Sequence, residues 1–140
     1  MKNIILLFIL SLSTLLASAQ DPYYYGEGKK FNPDIPTPDA FFGFKIGSSL
    51  VRYDKVVEYF KLLADKSDRA SFEVFGKSWQ QRDQVKLIVS SADNQAQLES
   101  IRQEHLKLVD PKATVDYASQ KVVVELAYNV HGGEIAGMDA

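Results

Sequence analysis

Val122-Val123-Val124-Glu125-Leu126-Ala127-Tyr128 is the run that most restricts the fold open to this chain. Three consecutive β-branched residues lose side-chain freedom in a helix and pack well on a pleated sheet, so the run predicts a strand. It is apolar on both alternating faces, as expected of a central strand covered on each side. Glu125 is the exception, and its place there predicts a structural pairing with a partner such as an arginine.

Helices and strands alternate upstream of this run. Val56, Tyr59, Phe60 and Leu63 recur at helical spacing behind Asp54, which predicts a helix from an Asp54 cap to about Lys66. Ser71 to Phe75 and Val85 to Ser90 read as strands joined by the polar stretch Gly76 to Gln84, a hairpin-like connection, with Leu87 to Val89 apolar enough for burial on both faces. Asp93 or Asn94 caps a second expected helix running to about Val109, with Leu98, Ile101, His105 and Leu108 on one stripe, and Asp110-Pro111 ends it. His105, inside that apolar stripe, is expected to be a packing residue with one ring nitrogen hydrogen-bonded. Lys112 to Gln120 reads as a loop. The pattern predicts an α/β fold, a sheet with helices packed on both faces.

Residues 1–19 carry one early cation, Lys2, an apolar stretch from Ile4 to Leu16, and Ala17-Ser18-Ala19. That is the pattern of a secretory signal peptide cleaved before Gln20, which implies a secreted or periplasmic protein. The apolar stretch is shorter than the roughly 20 residues that span a bilayer, so no stable membrane insertion is expected after leader removal. Residues 20–50 form an irregular Pro- and aromatic-rich segment, in which Asn32-Pro33, Ile35-Pro36 and Thr37-Pro38 favour extended backbone, while Phe41, Phe42 and Phe44 can dock on a neighbouring surface. Residues 51–140 make up the rest of the chain.

The 140 residues are 46% hydrophobic and 24% charged, a globular composition, with a formal charge of -2. Loss of Lys2 with the leader leaves 15 basic against 18 acidic residues, a charge of -3. No basic stripe is present, so nucleic acid is not an expected partner. The count of cysteines is 0, which excludes disulfides, thiolate metal ligands and a cysteine nucleophile.

What chemistry remains is concentrated in His131-Gly132-Gly133-Glu134, directly after the strand-like run. An imidazole leaving a strand and a carboxylate opening a helix can converge on one ion, two glycines allowing the backbone to pass close by. A helix N-terminus would also hold Glu134 ionised. Loops at the carboxyl ends of strands are where ligands bind in open α/β sheets. Glu134 onward reads as the start of a helix, and a third ligand is not in view, so the chain looks truncated.

Asn129-Val130-His131-Gly132-Gly133-Glu134 resembles the segment that carries the first two zinc ligands in the zinc carboxypeptidase (metallocarboxypeptidase, carboxypeptidase A-like) family, in its bacterial secreted form. Asn32 to Pro38 with Phe41-Phe42-Gly43-Phe44 and Ile46-Gly47, the helix Val57 to Ala64, and Phe75-Gly76-Lys77-Ser78 with Arg82 add to the resemblance, which covers nearly all of the mature chain. It implies that residues 51–140 are the N-terminal part of a carboxypeptidase-like catalytic domain, a portion of a mixed sheet with helices on both faces, with His131 and Glu134 as ligands of Zn2+, a His₂Glu donor set completed downstream, and hydrolysis of C-terminal residues from peptide or protein substrates. It also implies that the second histidine, the water-activating glutamate and the groups holding the substrate carboxylate lie downstream, so that no catalytic residue is expected in this chain and the chain alone is inactive. Two departures stand out: Gln80-Gln81-Arg82-Asp83 where the family commonly has Glu-Gly-Arg-Pro, and Gly133 where it more often has Asn.

Two other functions compete. A His-Gly-Gly run after a strand can help form the oxyanion hole of an α/β-hydrolase, although that role favours glycine at Glu134. A non-catalytic carboxypeptidase-like binding module would instead use Tyr23 to Tyr25 and Phe41 to Phe44 as a contact surface.

Overall fold

A computed structural model describes residue 28, residues 30–129, residue 131 and residues 133–138 of the chain. The chain divides into two units, 1–32 and 33–140. In the first, the described residues Phe31 and Asn32 are exposed. The signal peptide and Tyr23 to Tyr25 lie outside the described residues.

The second unit is a mixed α/β arrangement of helices with a two-stranded antiparallel sheet. It opens with a short helix α1 (Pro38–Phe42) inside the segment expected to be irregular. Thr37 caps it through a 3.3 Å bond from the Ala40 N–H to Oγ1, Pro38 occupies the first turn, and Gly43 ends it at φ 78°. That left-handed cap is a conformation glycine adopts without strain.

Helix α2 (Tyr53–Lys66) forms as expected but begins before Asp54, which lies in its first turn. The Asp54 carboxylate takes both Arg52 Nε and Arg52 Nη2 at 3.0 Å, so it pairs with the preceding cation instead of capping. Val56, Tyr59, Phe60 and Leu63 are all half-buried. On this face Phe41 and Phe42 pack against Tyr59 with ring centroids 5.0 and 5.5 Å away, and the Tyr59 hydroxyl donates to the Pro36 carbonyl at 2.9 Å. The aromatic cluster therefore docks α1 onto α2. Beside it lies Val51, the one hydrophobic residue among the described residues that is fully buried, 4% exposed.

Strands β1 (Ala70–Lys77) and β2 (Asp83–Val89) pair in the register Ala70 to Val89, Phe72 to Leu87 and Val74 to Val85, with a bulge between Val74 and Gly76. Helix α2 packs on this hairpin, with Lys61 Nζ 5.4 Å from the centre of the Phe72 ring. Leu87 and Ile88 are half-buried, yet Val89 is 67% exposed, so β2 is not buried on both faces.

The second expected helix is broken in two, α3 (Ala92–Gln95) and α4 (Leu98–Leu106), followed by a 3₁₀ turn Lys107–Val109. Ser91, not Asp93 or Asn94, caps α3 by accepting from the Asn94 N–H at 3.2 Å. The Gln95 amide donates to the Arg69 and Ile88 carbonyls at 2.9 and 2.8 Å, tying α3 to the hairpin, and Gln97 leaves helical geometry at φ -122°. His105 is half-buried and its Nε2 lies 2.6 Å from the Lys121 carbonyl, a packing residue with one ring nitrogen engaged.

Val122 to Tyr128 is not a covered central strand. It belongs to no sheet among the described residues and stays exposed, from 89% at Val122 to 52% at Tyr128. Intrinsic β-preference yields a strand only where a ladder partner lies alongside, because the backbone N–H and C=O groups bond across strands. Glu125 is exposed too, with no ion pair among the described residues, contrary to the pairing expected of it.

Candidate functional site

The backbone turns sharply after the exposed run. Asn129 adopts φ 56°, a left-handed conformation that its short polar side chain tolerates better than most. Its amide Nδ2 donates to the Glu134 carbonyl at 2.6 Å. The Glu134 N–H donates to the His131 carbonyl at 3.0 Å, and the Gly137 N–H to the Glu134 carbonyl at 3.2 Å, which closes a tight bend from 131 to 137. A Cβ at Gly137 would stand 2.5 Å from Asn129 Oδ1, so the bend depends on a residue without a side chain there. A Cβ added at Gly133 would meet nothing within 4 Å, so the close approach expected of the glycine pair does not require a glycine at that position.

This bend brings His131 and Glu134 face to face. His131 Nδ1 lies 2.6 Å from Glu134 Oε1, and the His131 backbone N–H donates to Oε2 at 3.2 Å. Both carboxylate oxygens are thus turned back on the histidine. The side chains are 80% and 46% exposed, so the contact is screened by water and contributes little to stability. Glu134 precedes a 3₁₀ turn of 4 residues, Ile135–Met138, where the start of a helix was expected. Such a turn has little of the aligned dipole that would hold an anion.

A tetrahedral zinc ion bonded to one imidazole nitrogen and one carboxylate oxygen sets those atoms about 3.4 Å apart, from bond lengths of about 2.0–2.2 Å. Nδ1 and Oε1 are closer than that, at hydrogen-bond distance. Holding an ion between them requires a parting of less than about 1 Å, which exposed side chains accomplish by small torsional changes. No group of three or more His, Asp or Glu side chains assembles among the described residues. His105 engages the Lys121 carbonyl and does not join His131.

Asn129, which clasps the bend, is the residue to which pattern reasoning gave no role. Its signal was present: an asparagine at the end of an apolar run, where a left-handed turn residue is favoured. A second polar cluster, Tyr53 with Asp83, is structural. The Tyr53 hydroxyl donates to the Asp83 carbonyl, and burial, with the Asp83 carboxylate adding to it, holds the phenol above its ordinary pKa of 10.0.

Among the described residues no helix is long and apolar enough to cross a membrane. Compared with family models, with curated proteins and with solved structures, the chain matches none.

Proposed function

We propose that His131 and Glu134 are two protein ligands of a zinc ion in a metallocarboxypeptidase-like centre that removes C-terminal residues from peptides. The observation that carries this reading is the 2.6 Å approach of His131 Nδ1 to Glu134 Oε1, an imidazole and a carboxylate converging on one point at the surface. Zinc bound there supplies a water of lowered pKa and polarises a scissile carbonyl. The chain's own part is to position the donors: Asn129 fixes the Glu134 backbone, and the His131 N–H holds the carboxylate against its own ring. Ligation through Nδ1 requires that nitrogen to carry no proton.

The reading assigns the third ligand and the proton-transferring carboxylate to polypeptide outside residues 28–138, and peptide hydrolysis by these residues alone is not expected. It rests also on the resemblance of residues 129–134 to the family's ligand segment. An exported protein of this kind meets peptide substrates outside the cytoplasm. The hydrolase alternative is weakened by the His131 N–H, which is spent on Glu134 Oε2 and not free for an oxyanion. The aromatic contact surface of a binding module is weakened as well, since Phe41 and Phe42 are packed on Tyr59.

The same 2.6 Å bond suits a histidine that ligates through Nε2 while Glu134 orients the ring, a common outer-shell arrangement. Zinc titration of the chain by calorimetry separates the two. With Glu134 as ligand, Glu134→Gln weakens zinc by more than the roughly 10–100-fold that loss of an outer-shell partner costs, and His131→Ala abolishes binding. Binding unchanged in His131→Ala would overturn the assignment.

A further inference from the structure

Gln20 follows directly on Ala17-Ser18-Ala19, and removal of the leader gives it a reaction open to no other glutamine of the chain. A peptidase that cuts between Ala19 and Gln20 releases an α-amine on a residue whose own side chain ends in a primary amide. Amine nitrogen and side-chain carbonyl carbon Cδ then lie at the two ends of a short carbon chain that closes into an unstrained lactam. Attack within one residue replaces an encounter between two molecules, which raises the effective concentration of the nucleophile by orders of magnitude. An α-amine has an ordinary pKa of about 7.7–8.0, so part of it is unprotonated and nucleophilic at neutral pH.

We infer that the mature chain is modified at position 20, its glutamine closed to pyroglutamate. The unprotonated amine attacks Cδ. A nitrogen–Cδ bond forms, the Cδ–Nε2 bond breaks, and Nε2 leaves as ammonia with the proton that the amine gives up. No oxidant, reductant or second substrate enters the balance. Gln20 lies outside the described residues, and the step depends on its covalent neighbours alone. The bond before it has to enter a peptidase's active site, so the amine is released at a point of the chain that solvent reaches.

The residue type is decisive. Alanine, serine or aspartate at this position offers no side-chain amide, and asparagine would have to close a smaller, strained ring. The lactam nitrogen carries no charge, so a chain whose side chains sum to -3 after leader removal loses the cation at its amino end. It also loses the free amine that aminopeptidases grip, which suits a protein exported to a compartment where peptidases act.

The step rests on leader removal and not on the zinc centre, so the two readings fail separately. Expression of the full chain with its leader in an exporting bacterium, followed by intact-mass measurement and Edman degradation of the exported protein, tests it. Kept at neutral pH until its mass is constant, the protein is expected to be lighter by one ammonia than residues 20–140 with a free amine, and to resist Edman degradation. Treatment with a pyroglutamyl peptidase is expected to open the chain at Asp21. Gln20→Ser is expected to keep the cut and to give an amino end open to degradation, with no loss of ammonia. A stable free amine on Gln20, ammonia lost from any other peptide of the protein, or a Gln20→Ser variant that is still blocked would each overturn the proposal. A chain that begins at another residue or keeps residues 1–19 would overturn it together with the leader reading, while leaving zinc titration unaffected.

Discussion

At the scale of single residues, the bend from Asn129 to Gly137 determines where His131 and Glu134 point. Asn129 holds the Glu134 carbonyl and also fills the space a side chain at Gly137 would need. Asn129→Ala is therefore expected to weaken zinc about 10-fold while leaving both donors in place, the effect of losing an outer-shell partner. Gly137→Ala is expected to weaken it similarly, by displacing Asn129. Both are read by zinc titration, and unchanged affinity in both would show that the bend does not position the donors.

Glu99 offers a separate test on α4. Its hydrogen bonds from Arg102, and next from Gln103, hold the carboxyl down to about 2 against an ordinary 4.5. Because the folded value is the lower one, the stabilising contribution is present above the ordinary value and is lost as pH falls through about 2. The group is fully exposed, so water screening keeps the contribution small. Carboxyl chemical shifts followed by NMR are expected to show Glu99 titrating well below the ordinary 4.5, and Arg102→Ala to move it back toward that value. Tyr53 has the opposite sign: its neutral form is favoured, so its contribution is complete below 10.0 and disappears as pH rises through the elevated folded value.

Among elements, those whose stabilising contacts are local or face one neighbour were legible in the sequence. Helix α2 followed from its apolar spacing, and the hairpin from two short β-rich runs around a polar turn. Helix α1 was missed although Thr37-Pro38 and Gly43 supply its start and stop, because three X-Pro pairs suggested extended chain throughout. The break between α3 and α4 depends on the Gln95 amide reaching Arg69 and Ile88, distant in sequence and invisible to periodicity. Val122 to Tyr128 shows the sharper limit: composition reports that a segment can be a strand, while pairing decides whether it is one. At the site, the convergence of His131 and Glu134 was legible from spacing, but the clasp by Asn129 was not. Tyr59→Phe removes the hydroxyl bond to Pro36 and is expected to cost α1 docking about 0.5–1.5 kcal/mol. Faster amide hydrogen exchange in residues 38–43, with α2 little changed, is the readout; unchanged exchange would deny that this bond anchors α1.

For the whole molecule, the thin core is the governing fact. Val51 is the only fully buried hydrophobic residue among those described, whereas Val89, Val122 to Val124 and Leu126 face water. Burial of apolar area is the main favourable contribution to folding, so thermal unfolding of the chain is expected to be broad and weakly cooperative. A sharp transition measured by calorimetry would contradict that expectation.

X-ray absorption on the zinc-loaded chain probes the shared grip of His131 and Glu134 most directly. The account predicts one imidazole nitrogen at about 2.0–2.1 Å and a carboxylate oxygen at about 2.0–2.2 Å, with the imidazole signal lost in His131→Ala and retained in His105→Ala. Zinc surrounded by water oxygens alone, or an imidazole signal that survives His131→Ala, would contradict it.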